Sequence, residues 1–257
     1  MRIVLIGAGR VAYHFAKRLY GSAAEIVQVY APTEKSALRV AEVSGCACVA
    51  TNDIHTIYKN ADAYILAVSD DALAEIVPLL ADILPENVRI VHTSGSVTST
   101  VFSPFFTNFG VLYPLQSFSF QTEPNWHTLP ICLHTAQADD YDFWYELASL
   151  LSQNIYNIND EQRATLHIAA VFANNFTNHL YTIADTLLQK NDLDFDILKP
   201  LIVATALKVQ DNPPALVQTG PAARNDTKTI EKHLAYLAQA APEYAEIYEQ
   251  ITNSIQR

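Results

Sequence analysis

The strongest constraint on this chain is the run Gly7-Ala8-Gly9-Arg10-Val11-Ala12. It follows the apolar segment Ile3–Ile6 directly and opens an amphipathic stretch. A G-x-G-x-x-A turn between a strand and a helix has a mechanical meaning. Its first glycine permits a tight turn, and its second lets the backbone approach a pyrophosphate. The small third residue lets the helix pack closely on the strand. The free N–H groups of the first helical turn then face the anion. Gly7, Ala8, Gly9, Arg10 and Val11 are therefore expected to bind a dinucleotide. The chain has only seven glycines in 257 residues, so two in one turn carry weight. The alternative is a strand–helix turn that merely tolerates glycine.

The pattern downstream fits that start. Apolar runs at Ile26–Tyr30, Ala63–Val68, Val88–His92, Gly110–Leu112 and Ile131–His134 read as strands. Several show no polar alternation, as expected of parallel strands covered on both faces. Helical stretches at Val11–Tyr20, Thr33–Val43, Asp71–Ile83 and Tyr141–Leu151 fall between them. Strand–helix alternation predicts an α/β fold, a doubly wound, mostly parallel sheet over residues 1–157. Residues 158–257 read as an all-helical domain. Its first helix spans Asp160–Gln189, and its middle, Ile168–Ala173, is apolar all round and is expected to be buried. Helices at Phe195–Val209, Thr227–Gln239 and Pro242–Ile255 follow, with a loop at Asp211–Asp226.

Composition narrows the function classes. Half of the residues are hydrophobic and the net charge is −11, which argues against a disordered chain or a nucleic-acid binder. No apolar run is long enough for a membrane span. Cys46, Cys48 and Cys132 form no CxxC pair, so a reduced cytoplasmic setting is expected. No His, Cys and carboxylate spacing suggests a metal site.

Charge also bears on the cofactor. Residues 1–40 hold six Lys and Arg against only Glu25 and Glu34. The acid that usually binds the ribose at the end of the second strand is missing, and Ala31-Pro32 stands there instead. Thr33, Lys35, Ser36 and Arg39 can hold a 2′-phosphate, which favours NADP(H). Lys35 and Arg39 also read as ordinary solvated helix residues.

Ligands of open α/β sheets sit beyond the carboxyl ends of strands. Val68 and Ser69 are expected against the cofactor there. The loop His92-Thr93-Ser94-Gly95-Ser96 offers hydroxyls at Ser94 and Ser96 and a titratable imidazole at His92. Gln116 follows the next strand, and Asp70 reads as a helix cap. In the long helix, His167, Asn174 and Asn178 share one face at helical spacing. Buried polar groups need partners, so this face reads either as a core network or as a cleft lining. His167, Asn174 and Ser94 are the expected catalytic set. Ser96, Gln116, Asn178 and Arg224 are expected to bind substrate, with Arg224 clamping an anionic group. Asp226 is expected to cap the helix that follows.

Together Gly7–Ala12, His92–Ser96, Tyr113–Ser117, His167 with Asn174-Asn175, and Thr219–Asp226 followed by His233 resemble a known superfamily. It is that of 6-phosphogluconate dehydrogenase and pyrroline-5-carboxylate reductase. More closely, the chain resembles proteins in which a Rossmann-like domain precedes a domain of unknown function, number 2520. The resemblance covers nearly the whole chain. It implies NADP(H) on the Rossmann domain and a homodimer formed through the helical domain. Two turns depart from the family pattern. Ala31-Pro32-Thr33 stands where Ser-Arg-Thr is frequent, and Asn225 replaces the glycine of Arg-Gly-Asp. Where the superfamily's helix often presents Lys with Asn one turn later, this chain has His167 and Asn174. The expected activity is hydride transfer between NADP(H) and a small carbonyl or imine substrate, one bearing a carboxylate included. The alternatives are a non-catalytic NADP-binding sensor or scaffold, and a deazaflavin-linked NADP oxidoreductase.

Overall fold

The structure, a computed structural model, describes residues 1–45 and 48–257. Cys46 lies outside the described residues. Within them the chain divides into two compact units, Met1–Phe172 and Ala173–Arg257.

The first unit is built on one eight-stranded sheet. In chain order its elements are β1 (Arg2–Ile6), α1 (Arg10–Leu19), β2 (Glu25–Tyr30), α2 (Glu34–Val43), β3 (Val49–Thr51), β4 (Ala63–Leu66), α3 (Asp70–Ala81), β5 (Arg89–His92), β6 (Asn108–Pro114), β7 (Pro130–Thr135), α4 (Tyr141–Leu151), β8 (Asn154–Asn157) and α5 (Asp160–Ala170). The strands lie in the order β3-β2-β1-β4-β5-β6-β7-β8. Every neighbouring pair is parallel except β6 and β7. The mostly parallel, doubly wound sheet expected from the sequence is present, and β1 lies between β2 and β4, third from one edge.

The absence of polar alternation in β1 and β4 has a direct cause. Side chains on a strand point alternately to the two faces. Ile3, Leu5, Ala63 and Ile65 enter a core with Phe15 of α1, Val40 of α2 and Trp144 of α4. Val4, Ile6, Tyr64 and Leu66 enter a second core with Leu73 and Val77 of α3 and with Phe102. Both faces are dry over Ile3–Ile6 and Ala63–Leu66, so these positions carry apolar or aromatic side chains. β3 and β8 did not stand out as strands. They are short, three and four residues, and their side chains are exposed or half-buried.

α5 belongs with the first unit because a buried cation ties it there. Arg163 is 1% exposed. It donates to Asp160 Oδ1 at 2.7 Å and to the carbonyl of Val97. Asp160 in turn accepts the backbone N–H and the hydroxyl of Ser99, at 2.9 and 2.8 Å. A capping box between Asn159 and Gln162 starts the helix.

The second unit is helical: α6 (Thr177–Gln189), α7 (Lys199–Asp211), α8 (Thr227–Ala240) and α9 (Ala245–Ile255), with short 3₁₀ turns between them. Asp226 caps α8 as expected, accepting from the Thr229 N–H and hydroxyl. Asn225 has a φ of 53°, the left-handed backbone that a glycine would supply in its place. No helix among the described residues is long and apolar enough to cross a membrane.

Two expectations need correction. The helix over 160–189 is not uniform: Val171–Phe176 is π-helical. A π-turn breaks the 3.6-residue period, and His167, Asn174 and Asn178 were aligned on that period. Nor is the apolar middle buried within one chain, since Ile168 is 61% exposed. Its apolar character marks surface that a single chain leaves uncovered.

Candidate active site

The glycine turn sits at the carboxyl end of β1, and its geometry explains the residues. Gly7 has a φ of +112°, and a Cβ there would lie 2.3 Å from the carbonyl oxygen of Ala67. Any side chain would collide with the end of β4. Gly9 differs: its Cβ would meet only the Ala67 oxygen, at 3.9 Å, and otherwise project into open space. Gly9 is the N-cap of α1, with no side-chain cap and no acid in the first turn. The N–H groups of that turn are therefore left for another acceptor. Ala12 is fully buried, as close packing of helix on sheet requires.

A cavity of about 710 Å³ opens over this turn. Gly7, Ala8, Gly9, Arg10 and Val11 line it, with Val68 and Ser69 from the end of β4. These seven are the residues expected to cradle the cofactor. Of the four expected phosphate-binding residues, Ser36 and Arg39 line the cavity and Thr33 and Lys35 do not. Thr33 is occupied as the cap of α2, and its hydroxyl donates to Ser36 Oγ at 2.8 Å. The wall there is completed by Pro32, Arg39 and Phe120. Arg39 donates to the carbonyl of Ala8 at 2.8 Å and stacks over the Phe120 ring, 4.5 Å from its centroid. Phe120 lies far from the motif in sequence and carried no signal of its own.

Thr93, Ser94 and Asp70 also line the cavity. The Ser94 hydroxyl accepts from the N–H groups of Ser96 and Val97, at 3.1 and 3.0 Å. The Ser96 hydroxyl donates to Asp70, so Asp70 belongs to the polar group and does more than start α3. His92 is not a proton carrier. It is fully buried and stacks on Phe102. Its Nδ1 accepts the Ser94 N–H at 3.2 Å. Burial, aided by the charge of Arg163, pulls its pKa down to about 4, so it is neutral near pH 7 and shapes the loop.

His167 is placed differently. It is half-buried on α5, and its Nδ1 lies 3.2 Å from the hydroxyl of Tyr113 at the end of β6. Gly95 packs against both rings. The structure thus brings His167, Tyr113 and the Ser94–Ser96 loop together within the first unit. Gln116 is exposed beyond β6, its Oε1 accepting the Ser117 N–H. Asn174, Asn178 and Arg224 belong to the second unit and are exposed there.

Residues 129–255 match the model of a domain of unknown function, DUF2520. A solved structure from Bacteroides fragilis, described as a putative NADP oxidoreductase, is 40% identical. It matches 99% of this chain and 97% of its own, with a TM-score of 0.91. The chain belongs to the DUF2520 family. More distant solved structures share its fold. Pyrroline-5-carboxylate reductase from Coxiella burnetii is 13% identical over 99% of this chain and 98% of its own, TM-score 0.62. A reductive aminase from Aspergillus terreus, solved with NADPH and ethyl-5-oxohexanoate, is 15% identical over 100% and 92%, TM-score 0.68. No curated protein matches this DUF2520 chain by sequence.

Proposed function

We propose that this chain is an NADP-dependent oxidoreductase that moves a hydride between the cofactor and a small carbonyl or imine substrate. The observation that carries the reading is the Gly7–Val11 turn under a cavity of about 710 Å³. Only glycine fits at Gly7, and the space at Gly9 is open to a ligand's phosphates. The description of the B. fragilis relative and the NADPH bound to the reductive aminase support the same cofactor.

In this reading the Gly7–Val11 backbone holds the pyrophosphate and Ser36 lies toward the ribose phosphate. Val68 and Ser69 flank the nicotinamide end. The cofactor supplies the hydride, and the protein supplies position and a proton. His167 exchanges that proton, Ser94 orients the substrate, and Ser96 and Gln116 bind it. We assign cofactor binding to residues 1–157, and substrate contacts and dimerisation to the helices beyond them. The partner is a second copy of the chain. Leu201 and Leu207 on α7 are each 61% exposed and Leu216 is 80% exposed, an apolar surface suited to burial between copies.

Binding tests the reading. NADPH titration followed by nicotinamide fluorescence should show saturable binding that is weaker for NADH. Replacing Gly9 with Val should abolish it without unfolding the protein. Equal, undiminished binding by Gly9→Val would remove the glycine turn from the site.

A further inference from the structure

Three elements converge on one imidazole. The Tyr113 hydroxyl lies 3.2 Å from His167 Nδ1, and the rings meet edge to face at 6.1 Å between centroids. The third element is the loop after β5. A Cβ on Gly95 would stand 2.6 Å from His167 Nδ1 and 2.8 Å from Tyr113 Cζ. The loop can therefore close over the pair only with glycine at 95. Below them, Arg163, one turn before His167 on α5, pins the helix to Val97 and Asp160. Both the backbone that carries His167 and the loop that covers it are fixed. Nε2 of His167 has no hydrogen-bond partner among the described residues.

We propose that Tyr113 is the positioning residue of this site: it fastens His167 at Nδ1, so that Nε2 is the atom left to exchange a proton with the substrate, and Gly95 keeps the room for that pairing. The proposal rests on the oxidoreductase reading. In the reducing direction, the substrate carbon accepts a hydride from the reduced nicotinamide. The electron pair of the C=O or C=N π bond moves to oxygen or nitrogen, which takes the proton from Nε2 of the imidazolium. The neutral imidazole keeps its proton on Nδ1, donated to the Tyr113 oxygen, and Nε2 regains one from solvent. The substrate is reduced and the nicotinamide oxidised. Tyr113 itself gives up no proton. Burial, and secondarily the nearby Cys132, raise its phenol above the usual range, while Arg163 opposes the shift. A phenol serves here because its oxygen can accept from Nδ1–H.

The test needs no substrate. In the full chain labelled with ¹⁵N-histidine, at a pH where the imidazole is protonated, the Nδ1–H of His167 is identified by its loss in His167→Asn. In the native protein it should exchange slowly with water. In Tyr113→Phe, which keeps the ring, exchange should speed up by about tenfold or more, and Gly95→Ala should do the same by prising the pair apart. Fast exchange in the native protein, or unchanged exchange in Tyr113→Phe, would overturn the proposal. NADPH binding measured on the same samples should stay within about twofold in Tyr113→Phe, since no cofactor contact is removed. A native protein that binds no NADPH sinks the functional reading instead, and the exchange result then stands or falls separately. With any carbonyl or imine that turns over, Tyr113→Phe should lower kcat and leave KM nearly unchanged. A purely packing role for the ring predicts neither change.

Discussion

At the scale of single residues, Arg39 is the most informative side chain. The strand end that should hold the ribose or its phosphate carries Ala31-Pro32. Arg39 reaches the cavity from the next helix, braced on the Ala8 carbonyl and the Phe120 ring. A charge-assisted contact of this kind is worth about 1.5–3 kcal/mol. Arg39→Ala should therefore weaken NADPH binding by roughly 10- to 100-fold and leave NADH almost untouched, as read by parallel fluorescence titrations. An equal loss for both cofactors would mean that Arg39 supports the turn and not the phosphate. The sequence made Gly7, Gly9 and Ala12 legible because each meets a local steric demand. It named Arg39 only as one of four candidates and was silent on Phe120, since a ring contact across 81 positions has no local signature. The same holds for Tyr113, whose meaning depends on where α5 carries His167.

At the scale of elements, the connection from β5 to β6 is held by two titratable groups with opposite wishes. His92 is buried neutral, so its pKa falls from 6.5 to about 4. A histidine depressed on folding contributes stability above its unfolded pKa and loses it as pH falls through the folded one. Burial works against the charge of Asp160, but the Ser99 hydrogen bonds and Arg163 outweigh it and hold the carboxyl below the usual range. That contribution fades on the same acid side, at lower pH. Stability should thus fall by about 3 kcal/mol between pH 6.5 and 4 on account of His92. His92→Asn, which keeps an acceptor for the Ser94 N–H, should flatten that slope in denaturant titrations. An unaltered slope would contradict the assignment. Arg163→Met leaves Asp160 without its cation and should cost about 3 kcal/mol, seen as a lower denaturation midpoint. Strands and helices with buried apolar runs were legible at this scale. β3 and β8 were not, because edge strands of three or four half-exposed residues bury too little to leave a pattern. The π-helical turn at Val171–Phe176 was also invisible, because it alters the period by which helices are read.

At the scale of the whole molecule, the sequence showed an apolar helical part but not what covers it. Ile168 and the leucines of α7 are apolar enough for a core, yet exposed in one chain. In solution the protein should have twice its 28.5 kDa chain mass by light scattering. Leu201→Glu with Leu207→Glu should return it to a monomer that still binds NADPH. A monomeric native protein would refute the second copy as partner. The central claim, however, is that the Gly7–Val11 turn serves a phosphorylated nicotinamide cofactor. Titrating the purified protein with NADPH and NADH in turn tests it most directly. Saturable binding, tighter for NADPH by tenfold or more in keeping with one charge-assisted phosphate contact, is the predicted result. Binding of neither cofactor would contradict the account.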